Sequence, residues 1–94
     1  MKDRIMTLHP QGKSGVNIDR DKYDAMRKAI LDFVQNHGEI TFKELTEDVR
    51  CKLEGKFDGS INWYVTTVKL DLEARGTIER IPESKPQRLR MVTT

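Results

Sequence analysis

Residues 72–80 read Leu-Glu-Ala-Arg-Gly-Thr-Ile-Glu-Arg, and at this point the chain changes from helix to strand. Gly76 is typical of the residue that closes a helix. The residues after it, 77–81, are rich in types that favour strands. Before it, apolar residues recur along one helical face, at Ile61, Val65, Val68 and Leu72. The spacing predicts a helix over about residues 60–75, followed directly by a strand.

Two further helices are predicted upstream. Asp19 is a typical N-cap, and the helix that it opens ends at Gly38. Thr41 and Glu44 have the spacing of a capping box, which opens a second helix that ends near Gly55. The short stretch 39–41 between these helices is predicted to supply one or two residues of strand. The predicted core stripes are Tyr23, Met26, Ile30, Phe33, Val34 and His37 in the first helix, and Phe42, Leu45, Val49 and Leu53 in the second.

The two ends of the chain differ in character. At the C-terminal end, residues 88–92 alternate so that Arg88 and Arg90 share one face, and residues 82–86 are rich in turn formers, which predicts a hairpin. Leu89 and Met91 are expected to seal the core. Residues 1–18 contain Pro10, Gly12 and Gly15, and we predict a partly mobile arm with one strand and a loop, outside a domain over 19–94.

Composition limits the function classes. The chain has 94 residues, enough for one domain, with 36% hydrophobic and 34% charged positions. It lacks a membrane span and a signal-peptide core, so we expect a soluble, cytoplasmic protein. One cysteine, Cys51, and two distant histidines, His9 and His37, argue against a disulfide framework and a metal site, and no cofactor is predicted.

No catalytic motif is recognisable. Residues 12–15, Gly-Lys-Ser-Gly, match the end of a phosphate-binding loop, but Thr7 stands where that motif requires its first glycine. Cys51 has no histidine near it in sequence, so it is interpreted as a packing residue. The acids Asp19, Asp21 and Asp24 complement the dipole of the first helix. We therefore expect that the protein is not an enzyme.

Positive charge is concentrated at the two ends of the chain. The net charge is +2 at pH 7. Residues 1–18 carry three basic side chains against one acidic, and residues 77–94 carry four against two. Residues 19–58 carry eight basic side chains and ten acidic ones. A polyanion is therefore expected to meet the ends of the chain first.

The predicted order of elements is that of a winged helix, an α+β fold with a three-helix core, a small antiparallel sheet and a C-terminal wing hairpin. Residues 72–80 resemble the end of the recognition helix and the first wing strand of bacterial winged helix-turn-helix regulators. Residues 56–91 are similar to a small uncharacterised bacterial winged-helix family. The resemblance covers about residues 19–92.

The resemblance implies a transcriptional regulator that binds double-stranded DNA, with the third helix in the major groove and the wing on phosphates. The implied helix contacts are Ser60, Asn62, Trp63, Thr66, Thr67 and Lys69, and the implied wing contacts are Lys85, Arg88 and Arg90. An asparagine can pair with adenine, and a threonine methyl group can touch thymine. Such a regulator is expected to act as a dimer.

A second hypothesis is a protein-association module. The third helix has no arginine or lysine before Lys69, whereas DNA-reading helices commonly carry one near their start. Its outward face includes Trp63, Leu70 and Ala74, which suit contact with a protein partner or a second copy of the chain. The apolar residues of the arm, Ile5, Met6 and Leu8, are a third candidate cover for this face.

Overall fold

The computed structural model describes residues 3–92, so the outermost residues of the predicted arm and domain, 1–2 and 93–94, lie outside the described residues. The elements are β1 (Arg4–Met6), β2 (Asn17–Asp19), α1 (Arg20–His37), β3 (Glu39–Thr41), α2 (Phe42–Leu53), α3 (Ile61–Ala74), β4 (Ile78–Arg80) and β5 (Arg88–Met91). This is an α+β architecture with three helices and two small antiparallel sheets. The described residues contain no helix that meets the length and apolarity needed to span a bilayer.

The helices begin where the sequence predicts. The Asp19 carboxylate accepts from the Asp21 N–H at 2.9 Å and caps α1. Thr41 and Glu44 satisfy each other's backbone N–H groups at the start of α2, as the capping box predicts. α1 ends at Gly38, whose φ of 76° is a conformation that favours glycine. α2 ends at Leu53, slightly before the predicted Gly55.

One hydrophobic core joins the three helices and the C-terminal sheet. Its most buried side chains are Met26, Ile30, Val34, Ile40, Leu45, Val49, Val65, Val68, Leu72, Ile78 and Leu89. The predicted core residues Phe33 and Ile61 are partly buried and pack against this cluster. Because Val65, Val68 and Leu72 are turned into the core, the opposite face of α3 is directed away from it.

The C-terminal sheet has the strand order β3-β5-β4, and all its pairs are antiparallel. Leu89 of β5 lies opposite Ile40 of β3 and is buried, whereas Arg88 and Arg90 are exposed, as the alternation predicts. The stretch 39–41 pairs over its full length rather than over one or two residues. The β4–β5 hairpin is therefore tied to the helical core through β3.

Residues 4–19 form a second hairpin, where the sequence predicted one strand and a mobile loop. β1 pairs with β2, so the predicted boundary between residues 18 and 19 falls inside β2. Ile18 is only 4% exposed and belongs to the core. Gly15 passes so close to the other arm of the hairpin that a Cβ there would lie 1.7 Å from the Thr7 carbonyl oxygen. The segment is packed on the helices because Ile18 belongs to the core and Ile5 packs against it.

Candidate nucleic-acid interface

The N-terminal half of α3 presents polar side chains and one tryptophan to solvent. Ser60 caps the helix, its Oγ accepting from the Trp63 N–H at 3.3 Å. The Thr66 hydroxyl donates to the Asn62 carbonyl at 3.1 Å, within the helix. Ser60, Asn62, Trp63 and Thr66 are all exposed, as predicted. These four side chains lie on a surface that a groove or a partner can reach.

Asn62 has a charged neighbour on α2 that the sequence did not indicate. The Arg50 guanidinium donates through Nη2 to the Asn62 Oδ1. Helical spacing places Arg50 outside the buried stripe of Leu45 and Val49, so the sequence could have predicted that Arg50 is exposed. Its contact with α3 depends on how the two helices pack, and twelve residues separate the partners in sequence.

Trp63 lies at the end of a chain of three aromatic rings. Its ring meets Tyr64 edge to face, with centroids 4.9 Å apart and an interplanar angle of 80°. Tyr64 in turn meets Phe57 at 5.0 Å. These contacts support one edge of the indole, yet the residue stays 45% exposed. The exposed ring surface is free to contact a base or an apolar partner.

The second half of the α3 face is partly covered by the N-terminal hairpin. A cleft of about 100 Å³ separates them, lined by Thr7, Leu8, His9, Ser14, Gly15, Val16, Thr67 and Leu70. Of the three predicted covering residues, Leu8 lies in this cleft, Ile5 packs against the core, and Met6 remains 56% exposed. Thr67 and Leu70 line this cleft and are half-buried, and Ala74 is half-buried too, so all three are less accessible than the sequence suggested.

Asp71 holds the hairpin against the helices, and it was absent from the predicted set. It is 0% exposed, and its Oδ1 accepts from the Leu8 N–H at 2.8 Å. Its Oδ2 accepts from the Tyr23 hydroxyl, and the Arg75 Nε donates to both oxygens, at 3.0 and 2.9 Å. The sequence could have indicated this role, because Asp71 lies on α3 beside the core residues Val68 and Leu72. A carboxylate buried at such a position must have hydrogen-bonding or charged partners.

These contacts change the acidity of the donors. Burial of Tyr23, reinforced by the hydrogen bond to Asp71 and by its negative charge, raises the pKa of the phenol to about 12. The hydrogen bond to Asp71 also raises the pKa of Arg75 above its ordinary value. Both donors therefore hold their protons more firmly, which keeps the buried carboxylate satisfied.

Lys69, predicted to contact DNA, is 5% exposed. Its Nζ donates to Gln87 Oε1 at 2.9 Å, lies 3.3 Å from Glu73 Oε2, and stands 4.9 Å from the centroid of the Phe42 ring. Burial lowers the pKa of Lys69, and the negative charge of Glu73 opposes that effect. The ammonium joins α3 to the loop before β5, and it does not belong to the exposed surface.

The three predicted cations of the C-terminal hairpin differ in their surroundings. Arg90 lies across from Glu79 on β4, and its Nε donates to Glu79 Oε2 at 2.8 Å. Glu39 of β3 faces Arg90 from the other side. Lys85 and Arg88 are exposed, and neither lies at ion-pair distance from a carboxylate within residues 3–92. The charge of Arg88 adds to the hydrogen bonds from Thr41 in lowering the pKa of the Glu44 carboxyl. The charge available to a polyanion is therefore at Lys85 and Arg88.

Other chemistry-bearing groups lie apart from this surface. Cys51 is exposed on α2. The His37 Nε2 lies 3.4 Å from a carboxylate oxygen of Asp48, beside a broad cleft of about 810 Å³ at the end of α1. Within the described part of the chain, no three His, Cys, Asp or Glu side chains are grouped so as to hold a metal ion.

The chain belongs to a family of unknown function, DUF6958, whose model matches residues 4–89. No curated protein matches the chain. The matched range begins at β1 and reaches into β5. The N-terminal hairpin therefore lies within the family's range, together with the three helices and most of the C-terminal sheet.

Proposed function

We propose that this protein is a winged-helix DNA-binding protein and a transcriptional regulator. In this proposal α3 enters the major groove, and the β4–β5 hairpin is the wing that contacts phosphates. The order of the elements supports this proposal, as does the antiparallel pairing of β5 in this hairpin with β3 between the first two helices. The observation that carries it is the exposed polar half of α3, with Ser60, Asn62 and Thr66, in the same fold as two unpaired wing cations, Lys85 and Arg88.

The chemistry of this surface suits duplex DNA. The major groove admits one α-helix, and hydroxyl and amide groups are the side chains that read base edges there. Arginine and lysine on a flanking hairpin neutralise phosphates and fix the register of the helix. Lys85 and Arg88 offer about two phosphate contacts, for which a log-log salt slope of about −2 per protomer is expected.

The test is binding to a fluorescent pool of random duplexes, followed by anisotropy over a salt titration. Replacing both Lys85 and Arg88 by alanine is expected to reduce the slope by about 2, because each lost phosphate contact removes about 0.9. The control replaces Lys28 and Lys52 by alanine, which removes the same charge. Both control lysines pair with Asp32 of α1, so the control should retain the wild-type slope. The proposal fails if the wild type binds no duplex at low salt, or if the two double variants behave alike.

A second candidate is self-association through the apolar side of α3. The exposed large apolar residues of the described chain are Met6, Leu8, Val16 and Trp63. Leu8 and Val16 line one cleft with Leu70. Trp63 lies about two helical turns before Leu70, on the same side of α3. A second copy of the chain is the occupant that this candidate requires, since contiguous exposed apolar surface is typical of an interface.

Mass measurement separates the two candidates. If self-association through this side holds, light scattering should give a dimer for the wild type and a monomer for Trp63→Ala. The Lys85 and Arg88 double variant should remain a dimer, since its changes lie on the wing. A monomeric wild type at high concentration would exclude this second candidate, and with it the expectation that the regulator acts as a dimer, while DNA binding itself is decided by the anisotropy test.

A further inference from the structure

We infer that Arg50 is the base-reading cation of this protein, and that Asn62 positions it to select guanine. This inference rests on the DNA-binding function proposed above. α3 has no cation on its exposed face, because Lys69 is buried against Glu73 and Gln87. The guanidinium that reaches this face comes from α2 instead.

Arg50 is placed for this role by the packing of α2 on α3. It is exposed, and its Nη2 bonds the side chain of Asn62, the second residue of α3. Within residues 3–92, no carboxylate lies at ion-pair distance from the Arg50 guanidinium. Its charge therefore remains available at the start of the helix, where a groove-bound helix meets base edges.

The hydrogen bond leaves the guanidinium able to read guanine. A guanidinium has five N–H donors, and Asn62 occupies one of them, so a fork of two donors remains for the O6 and N7 of guanine. Reading of adenine by Asn62 would require its Oδ1 to accept from the adenine amino group. That oxygen already accepts from Arg50. One lone pair of that oxygen remains for a base. We assign the guanine contact to the Arg50 guanidinium and a positioning role to Asn62, and an adenine contact through the remaining lone pair is the competing outcome of the selection below.

The test is selection from a random duplex pool, with sequencing of the bound fraction, for the wild type and four variants. The wild type is expected to enrich guanine at one position. Arg50→Lys keeps the charge but loses the fork, so the guanine preference should fall by about 5- to 150-fold while the salt slope is retained. Arg50→Ala should lose the guanine preference while the slope stays close to that of the wild type, because the guanidinium contacts a base and not a phosphate.

Two further variants make the result specific. Asn62→Ala should weaken the guanine preference, to a level between the wild type and Arg50→Ala. Lys52→Ala removes one charge from the same helix, two residues from Arg50, and should leave the preference unchanged because Lys52 pairs with Asp32. Circular dichroism checks that each variant keeps its helical content.

Three results would overturn the inference. They are a guanine preference that survives Arg50→Ala, an enriched adenine that only Asn62→Ala abolishes, and wild-type binding without any base preference. The last result leaves the proposed DNA-binding function intact. If the wild type binds no duplex, the proposed function and the role of Arg50 fail together.

Discussion

Replacing Asp71 by alanine should be among the most damaging single changes in this domain. The carboxylate is fully buried and joins three parts of the chain, through Tyr23 of α1, Arg75 after α3, and the Leu8 N–H of the N-terminal hairpin. Truncation to alanine removes the acceptor from all three donors at once. Arg75 is 37% exposed and can be hydrated instead, whereas the other two donors lie in the interior or at its edge.

The magnitude follows from the two donors that lose their acceptor. A buried donor left without a partner costs about 1–3 kcal/mol. The two donors together therefore account for about 2–6 kcal/mol. We expect Asp71→Ala to lower the free energy of unfolding by about 2–6 kcal/mol, a large part of the about 5–15 kcal/mol typical of a domain. Asp71→Asn keeps one acceptor oxygen and should lose less.

Urea denaturation followed by circular dichroism measures the global effect, and amide hydrogen exchange at Leu8 measures the local one. The exchange rate of the Leu8 N–H should rise further than global destabilisation explains, because its acceptor is gone. The control is Asp24→Ala, an identical change at an exposed position of α1, which should stay within about 0.5 kcal/mol of the wild type. If the two alanine variants are equally stable, or if Leu8 protection is unchanged, Asp71 does not hold the hairpin.

Two further predictions concern Tyr23 and Thr41. Because the folded pKa of Tyr23 is about 12 against an ordinary 10, the folded state binds this proton more tightly, so the resulting stabilisation is present below pH 10 and lost as pH rises towards 12. This stabilisation amounts to about 2–3 kcal/mol. Tyr23→Phe should abolish both the loss of stability at high pH and the tyrosinate absorbance step near pH 12. An absorbance step near pH 12 that persists in the variant would refute the assignment of this pKa to Tyr23. Thr41→Ala should cost about 1 kcal/mol in urea denaturation, because it removes the oxygen that caps α2, while Thr41→Ser should retain most of the stability. Equal losses for both Thr41 variants would contradict the capping role.

Local sequence patterns were enough to predict the three helices and the C-terminal hairpin. Capping residues and helix-ending glycines act on backbone groups close to them in sequence. The helix ends predicted at Asp19, Thr41 and Gly38 are therefore also the ends in the structure. The alternation over residues 88–92 likewise predicted that Leu89 faces the core and Arg88 faces solvent. These features depend on contacts between residues close in sequence, or on a period of two or 3.6 residues.

The same local information identified part of the candidate site. Helical period placed Asn62, Trp63 and Thr66 on the outward face of α3, where the structure also places them. It did not predict that Lys69 is buried, because the burial of that ammonium depends on Gln87 and Phe42, which lie outside α3. Nor did it predict that Glu79 would pair with Arg90, since that contact follows from the register of β4 on β5.

Tertiary structure decided which charges and faces remain available. The N-terminal segment lacks a strong helical or strand period, so its folding into a hairpin over Thr67 and Leu70 follows from long-range partners, chiefly Asp71 and the core around Ile18. The packing of α2 on α3 brought Arg50 to Asn62 across twelve residues of sequence. Such contacts form only when separate elements dock. Which side chains of two elements meet depends on how the elements pack, and the order of residues along the chain does not show it. Local sequence patterns therefore predicted the three helices, the C-terminal hairpin and the faces of these elements, whereas their docking set which of the predicted contacts are free to bind.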